Sequence, residues 1–328
     1  MRANYPKAKH QAKLLLETSE LSQNDTFLKI AHRAIGAVAL HTGDQVTAQK
    51  WLTEALDRYD HDTDLPISHL HGYDHAELTS ALLAMSLWIS GDVQRARQLG
   101  TFAIDHSRDI DHAHSLAQAV SFRVMWGAMA RHGSELKDIA AEGQAVAEKH
   151  GIRVMRAATR LFPFATQLCL QASTPTTQEL AELDERVVEF RAANPFNYGP
   201  LLASVLAEVY VRAGDLDAAE AVLIDGAQTE AKTGETWTSS ELLRMKARVA
   251  AARNDRATAQ KLRKEALDCA MRTHASTVTL RITCDIAEGD LRPETLSAVQ
   301  DALSGMVSLD DAWDVKRAHA LLGRANGA

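Results

Sequence analysis

Two stretches concentrate side chains able to ligate a metal. His61, His69, His71 and His75 lie among Asp60, Asp62, Asp64 and Asp74, while His106, His112 and His114 lie among Asp105, Asp109 and Asp111. Imidazole beside carboxylate suits zinc, nickel or another divalent ion. The spacing follows no fixed pattern such as HExxH, and polar loops also collect His and Asp for capping and solvation. The sequence therefore assigns no metal and no cofactor. His69, His71, His75, His112 and His114 are the residues that would have to converge if an ion were held.

Arginine offers a second chemistry. Arg123, Arg156, Arg160, Arg244, Arg248 and Arg281 fall on segments that read as the first helix of successive helix pairs, where Lys and Arg outnumber Asp and Glu. The planar donor fork of arginine matches carboxylate and phosphate. One reading is a concave groove for an acidic protein segment or an anionic small molecule; the other is a set of solvated or helix-bridging ion pairs. Under the groove reading, replacing Arg160 and Arg244 together removes partner binding and leaves thermal stability nearly unchanged. Phe162, Phe164, Tyr198 and Trp237 stand at or near the starts and middles of consecutive first helices, as the wall of an apolar pocket or as core. Pro163 lacks a donor and should kink its helix. No nucleophile elbow, paired-carboxylate arrangement or GxxxxGK[ST] phosphate loop is present, so no enzyme is expected.

The elements that must position these residues follow from punctuation. Turn signals at Gly43-Asp44, Gly91-Asp92, Gly133, Ser173-Thr174-Pro175, Gly214-Asp215, Asn254-Asp255 and Gly289-Asp290 recur roughly every forty residues, each between two segments of helical periodicity. Units of that length, unable to bury an apolar face alone, stack into an α-solenoid. The spacing predicts one all-α domain over 1–328, a right-handed superhelix of about seven helix pairs. A leading helix would occupy 1–22, the pairs 24–59, 75–107, 112–150, 153–194, 199–233, 238–274 and 276–306, and a capping helix 310–325. The polar stretch DHDTDLPISHLHGYDH reads as a long loop. Small residues after the turns, Ala48, Ala96, Ala219 and Ala259, allow two antiparallel helices to approach closely.

Bulk properties narrow the partners. Among 328 residues the formal net charge is -7, which disfavours duplex nucleic acid and anionic membranes. Three distant cysteines form no CxxC pair, and neither a signal peptide nor a bilayer-length apolar run is visible. A cytoplasmic protein is expected. Self-association into a homodimer is also allowed, because an uncapped solenoid end exposes apolar surface.

The segment LLASVLAEVYVRAGDLDAAEAVLIDGAQTEAKTGE resembles a tetratricopeptide repeat: leucine, small residue and tyrosine on the first helix, a glycine-acid turn, alanine on the second. Three further segments, HGYDHAELTSALLAMSLWISGDVQRARQLG, GETWTSSELLRMKARVAAARND and DDAWDVKRAHALLGR, look like the C-terminal repeat region of large bacterial signalling ATPases. Trp237, Glu241, Leu242 and Arg244 are the most distinctive positions. In that family the region follows an ATPase module, often with an adenylate/guanylate cyclase or winged-helix DNA-binding domain in front. The units here exceed the usual length, and Pro163 and the histidine-rich stretch depart from the pattern. The resemblance implies a non-catalytic regulatory role in signal transduction or transcriptional regulation, with a protein partner or the chain's own ATPase or effector module. The alternative is a sensor whose groove holds an anionic inducer.

Overall fold

The computed structural model describes residues 3–133, 135–194, 198–307 and 312–326, without the side chains of His69, Ala325 and Asn326. Among the described residues there are seventeen α-helices and no strand. A leading helix α1 (Tyr5–Ser22) is followed by α2 (Asp25–His41) with α3 (Gln45–Asp57), then a short α4 (His61–His71). Five pairs follow: α5 (His75–Ile89) with α6 (Val93–Asp109), α7 (Ala113–Ala130) with α8 (Glu135–Lys149), α9 (Arg153–Leu170) with α10 (Thr177–Ala193), α11 (Gly199–Ala213) with α12 (Leu216–Thr233), and α13 (Ser239–Ala252) with α14 (Arg256–Arg272). A last pair, α15 (Ser276–Gly289) with α16 (Pro293–Ser304), precedes α17 (Trp313–Asn326). The result is an all-α, solenoid-like stack. No described helix is long and apolar enough to cross a membrane.

The glycine-acid dipeptides explain the turns. Gly214 takes φ 78° at the end of α11, and Asp215 then accepts the Ala218 N–H to cap α12. Asp44, Asp92 and Asp255 cap α3, α6 and α14 in the same way, with Asn254 at φ 63° in the place of glycine. One residue thus stops a helix and the next starts its partner. Ala48, Ala96, Ala219 and Ala259 are all buried at the crossings this permits.

One expectation needs correction. The stretch after Tyr59 is not a loop, because Asp60 caps α4 through the Thr63 N–H and Asp62 and Asp64 favour its first turn. Asp64 is fully buried and receives Lys29 Nζ at 2.6 and 2.8 Å, which ties α4 to α2. The helix α9 runs through Pro163, as its bounds predict. The expected start of the capping helix at Asp310 lies outside the described residues.

The concave side is closed rather than open. The Thr236 N–H donates to His41 O at 2.9 Å, Thr277 Oγ1 to Trp88 O at 2.5 Å, and the Val307 N–H to Gly91 O at 3.2 Å. Turns of the first repeats therefore seat against loops of the last ones. Glycine matters here for size as well as φ: a Cβ on Gly91 would lie 3.0 Å from Met306 Sδ, and one on Gly43 3.3 Å from Thr273 Cγ2. Buried apolar side chains from α2 through α17 consequently form one continuous core.

Candidate functional site

Where α7, α11, α13, α15 and α17 meet, the interior is charged. Arg281 donates to Asp314 at 2.8 and 2.6 Å, to Glu241 at 2.5 Å and to Met129 O at 2.7 Å. Arg244 donates to Glu241 at 2.5 Å and Asp285 at 2.9 Å, and lies 3.5 Å from Glu208. Arg131 reaches Glu208 at 2.6 Å, and Arg317 reaches Asp285 at 2.6 Å. Burial alone would raise the Glu208 carboxyl, but Arg131, Arg248, Arg244 and Arg281 hold it well below the ordinary carboxylate range. Asp285 is depressed against burial by Arg244, Arg317 and Arg248. Glu208 and Asp285 are thereby held in their ionised form.

Above this floor lies a cleft of about 650 Å³ between the turn-side ends of α7, α9, α11, α13 and α15, with walls from α14 and α17. Five guanidiniums (Arg131, Arg212, Arg248, Arg263 and Arg317) face three carboxylates (Glu208, Asp285 and Glu288), an excess of two positive charges in a chain of net charge -7. Helix C-termini carry partial negative charge, which the guanidiniums at this end of the helices oppose.

The five arginines are not equally engaged. Arg131 and Arg317 are held by carboxylates and lie 4.1 and 5.5 Å from the Trp313 ring. Arg248 donates once, to Glu208 at 2.9 Å, and remains 31% exposed. Arg212 meets no carboxylate among the described residues: it donates to the carbonyls of Leu168, Gln171 and Ser173 at and just beyond the end of α9. Arg263 forms no ion pair among the described residues, and its buried Nε has no hydrogen-bond partner. Cys169 also lines the cleft, with burial pushing its thiol up to about 12, so it is inert as a nucleophile.

Of the residues singled out in the sequence, only Arg248 opens into this cleft. Arg244 and Arg281 lie beneath it, each 2% exposed. The expectation that Arg244 is dispensable for stability is thereby corrected, since its loss would leave buried Glu241 with Arg281 alone and buried Asp285 with Arg317 alone. Arg123 is buried over Trp126 at 4.3 Å and pairs with Glu135 at 3.2 Å. Arg156 and Arg160 share Glu189 at 2.7 Å on a more exposed face of α9. The aromatics do not wall one pocket. Phe162 packs edge-on to Phe190, Phe164 lies under Arg186, and Tyr198 and Trp237 pack near His41 on a separate seam.

The histidines mostly cap and stack. Among the described residues no group of three or more His, Cys, Asp or Glu side chains is placed to hold a metal. His71 Nδ1 lies 3.1 Å from His75 Nε2, His106 Nε2 lies 3.0 Å from Asp74, and the His112 ring accepts the Ser115 N–H at the start of α7. His114 is half-buried, with its pKa lowered by burial and by His112. The His69 side chain is outside the described residues.

Arg131, Arg212, Arg263 and Arg317 line the cleft in addition to Arg248, the arginine named from the sequence. Arg131 is the left-handed residue that ends α7, the place Gly214 takes after α11, whereas Arg212 lies within α11, so no common register announces the two. No local signal marks Arg263, on a second helix, or Arg317, in the cap. The chain matches no protein-family model and is similar to no curated protein.

Proposed function

We propose that this chain is a non-catalytic sensory module that binds an anionic small molecule in the cleft and passes the binding event to a partner or effector module in a bacterial, cytoplasmic regulatory system. The observation that carries the reading is the pair Arg212 and Arg263, two guanidiniums that line a positively charged cleft and have no carboxylate partner among the described residues. Charge-assisted hydrogen bonds from arginine are the strong donors for such a ligand. A protein segment threaded through the superhelix is the weaker reading, because the concave side is occupied by the contacts that close it. Isothermal titration with inorganic phosphate and with malonate, on the intact chain and on an R212A/R263A variant, tests the assignment. Binding by the wild-type chain and its loss in the variant are expected, with the far-UV spectrum unchanged; equal affinity in both proteins would remove the cleft as the site.

A protein contact has its own support at the first repeat. Leu14 and Leu21 share one face of α1, and with Phe27 they are 47, 87 and 48% exposed. Exposed apolar surface at a solenoid end favours a docked effector module or a second copy. Light scattering across a dilution series separates the two.

A further inference from the structure

We infer that the ligand of the cleft is a compact dianion with a short apolar arm: a head carrying two negative charges, as in a phosphate monoester or a closely spaced dicarboxylate. This rests on the cleft being the binding site.

The charge state of the wall is the first reason. Two positive charges are left over after Glu208, Asp285 and Glu288 are matched, so a single monovalent anion would leave one guanidinium uncompensated in a partly desolvated site. The distribution of donors is the second. The three carboxylates are already engaged by Arg131, Arg244, Arg248 and Arg317, whereas Arg212, Arg248 and Arg263 retain unused N–H groups. A wall of spare donors selects a head made of acceptors and rejects one bearing an ammonium group. Arg212 is preorganised for this task, since three main-chain carbonyls fix its guanidinium without neutralising it.

The rest of the lining sets the arm. Leu170, Val211, Ala251 and Ala252 form a short apolar strip beside the charged wall. Trp313 is not available as a stacking platform, because the Arg131 guanidinium lies over its ring at 4.1 Å. The arm is therefore aliphatic and short rather than an aromatic base.

Glu208 and Asp285 are held well below neutrality by their arginines after burial is overcome, and the Cys169 thiol is pushed up to about 12 by burial. Dependence of affinity on pH between about 5 and about 7.5 then belongs to the ligand. A phosphate monoester loses its second proton near a pKa of about 6.

Calorimetry on the whole chain with ethyl phosphate, malonate and butyrate, at about pH 5 and about pH 7.5, tests the inference. The dianions are expected to bind at least about tenfold tighter than butyrate at the higher pH, the factor that one further charge-assisted hydrogen bond supplies. Loss of about tenfold in ethyl phosphate affinity at the lower pH, with malonate less affected, identifies the phosphate source; preference for malonate identifies the dicarboxylate. Butyrate binding as tightly as both dianions, and losing its affinity in R212A/R263A, overturns the dianion inference and leaves the cleft as the site. Affinities for all three that survive R212A/R263A overturn the cleft itself, as does the absence of binding by either dianion.

Discussion

The superhelix is closed along two seams that bury carboxylates in opposite ways. In the aromatic seam, Tyr5 of α1 stacks on His41 at 5.0 Å, His41 packs on Tyr198 at 5.5 Å, and Glu235 accepts from Trp237 Nε1 at 2.9 Å and the Tyr198 N–H at 3.1 Å. Among the described residues no cation pairs with Glu235, and burial pushes its carboxyl up to about 7. In the arginine seam, Glu208 is just as deeply placed but meets Arg131, Arg248 and Arg244, and is driven far the other way. Depth desolvates both groups; the presence of a guanidinium decides which carboxylate stays charged. Only the second seam therefore holds permanent charge, and only it opens into a cleft that would recognise a charged molecule.

The largest effect that would break this comparison is the loss of Arg281. Arg281→Ala strands buried Asp314 and leaves Glu241 with Arg244 as its remaining donor, and urea unfolding should show a loss of about 3–5 kcal/mol. A loss below about 1 kcal/mol would mean the arginine seam contributes little to closure.

The aromatic seam has the opposite pH sign. The Glu235 pKa in the folded chain lies above its ordinary value of 4.5, so its stabilisation is complete below that value and is lost as pH rises through about 7. For Glu208 the folded pKa is depressed, and its contribution is present above the ordinary range and disappears as pH falls toward the folded value. Glu235→Gln keeps an acceptor for Trp237 and cannot ionise. Melting curves across pH should show it more stable than wild type above about pH 7, on the order of 1–3 kcal/mol, with no such gain near pH 4. A constant difference across that range would remove Glu235 as the titrating group.

The smallest effect is expected at Arg160. Its side chain is 39% exposed and shares Glu189 with Arg156, so Arg160→Ala should cost under about 1 kcal/mol in the same unfolding assay. A larger cost would place α9 within the closing network rather than outside it.

The fold was legible because its signals are local. Gly214-Asp215 and its counterparts carry a helix stop and a helix cap in adjacent residues, and their spacing gave the paired helices directly. The helix α4 escaped notice because its cap, Asp60, and its tie to α2 through Asp64 and Lys29 lie in a segment whose composition suggests solvent. The site was less legible for a different reason. Arg244 and Arg281 stand on first helices as expected, but their environment depends on Asp285, Asp314 and Met129, from 33 to 152 residues away. Sequence periodicity places a residue on a face; it does not say that another part of the chain will cover that face. Trp237, Glu241 and Arg244, the positions most distinctive in the resemblance, all proved to be members of the two seams.

The bond from Thr277 to the Trp88 carbonyl spans 189 residues. In an open repeat array each unit touches only its neighbours, so the ends fray independently and folding nucleates anywhere along the chain. Here the first repeats finish packing only after the last have formed, which raises the sequence separation of the decisive contacts and slows the search for them. Closure thereby converts a linear array into a single cooperative unit. Its unfolding should proceed in one concerted transition rather than by peeling from either terminus.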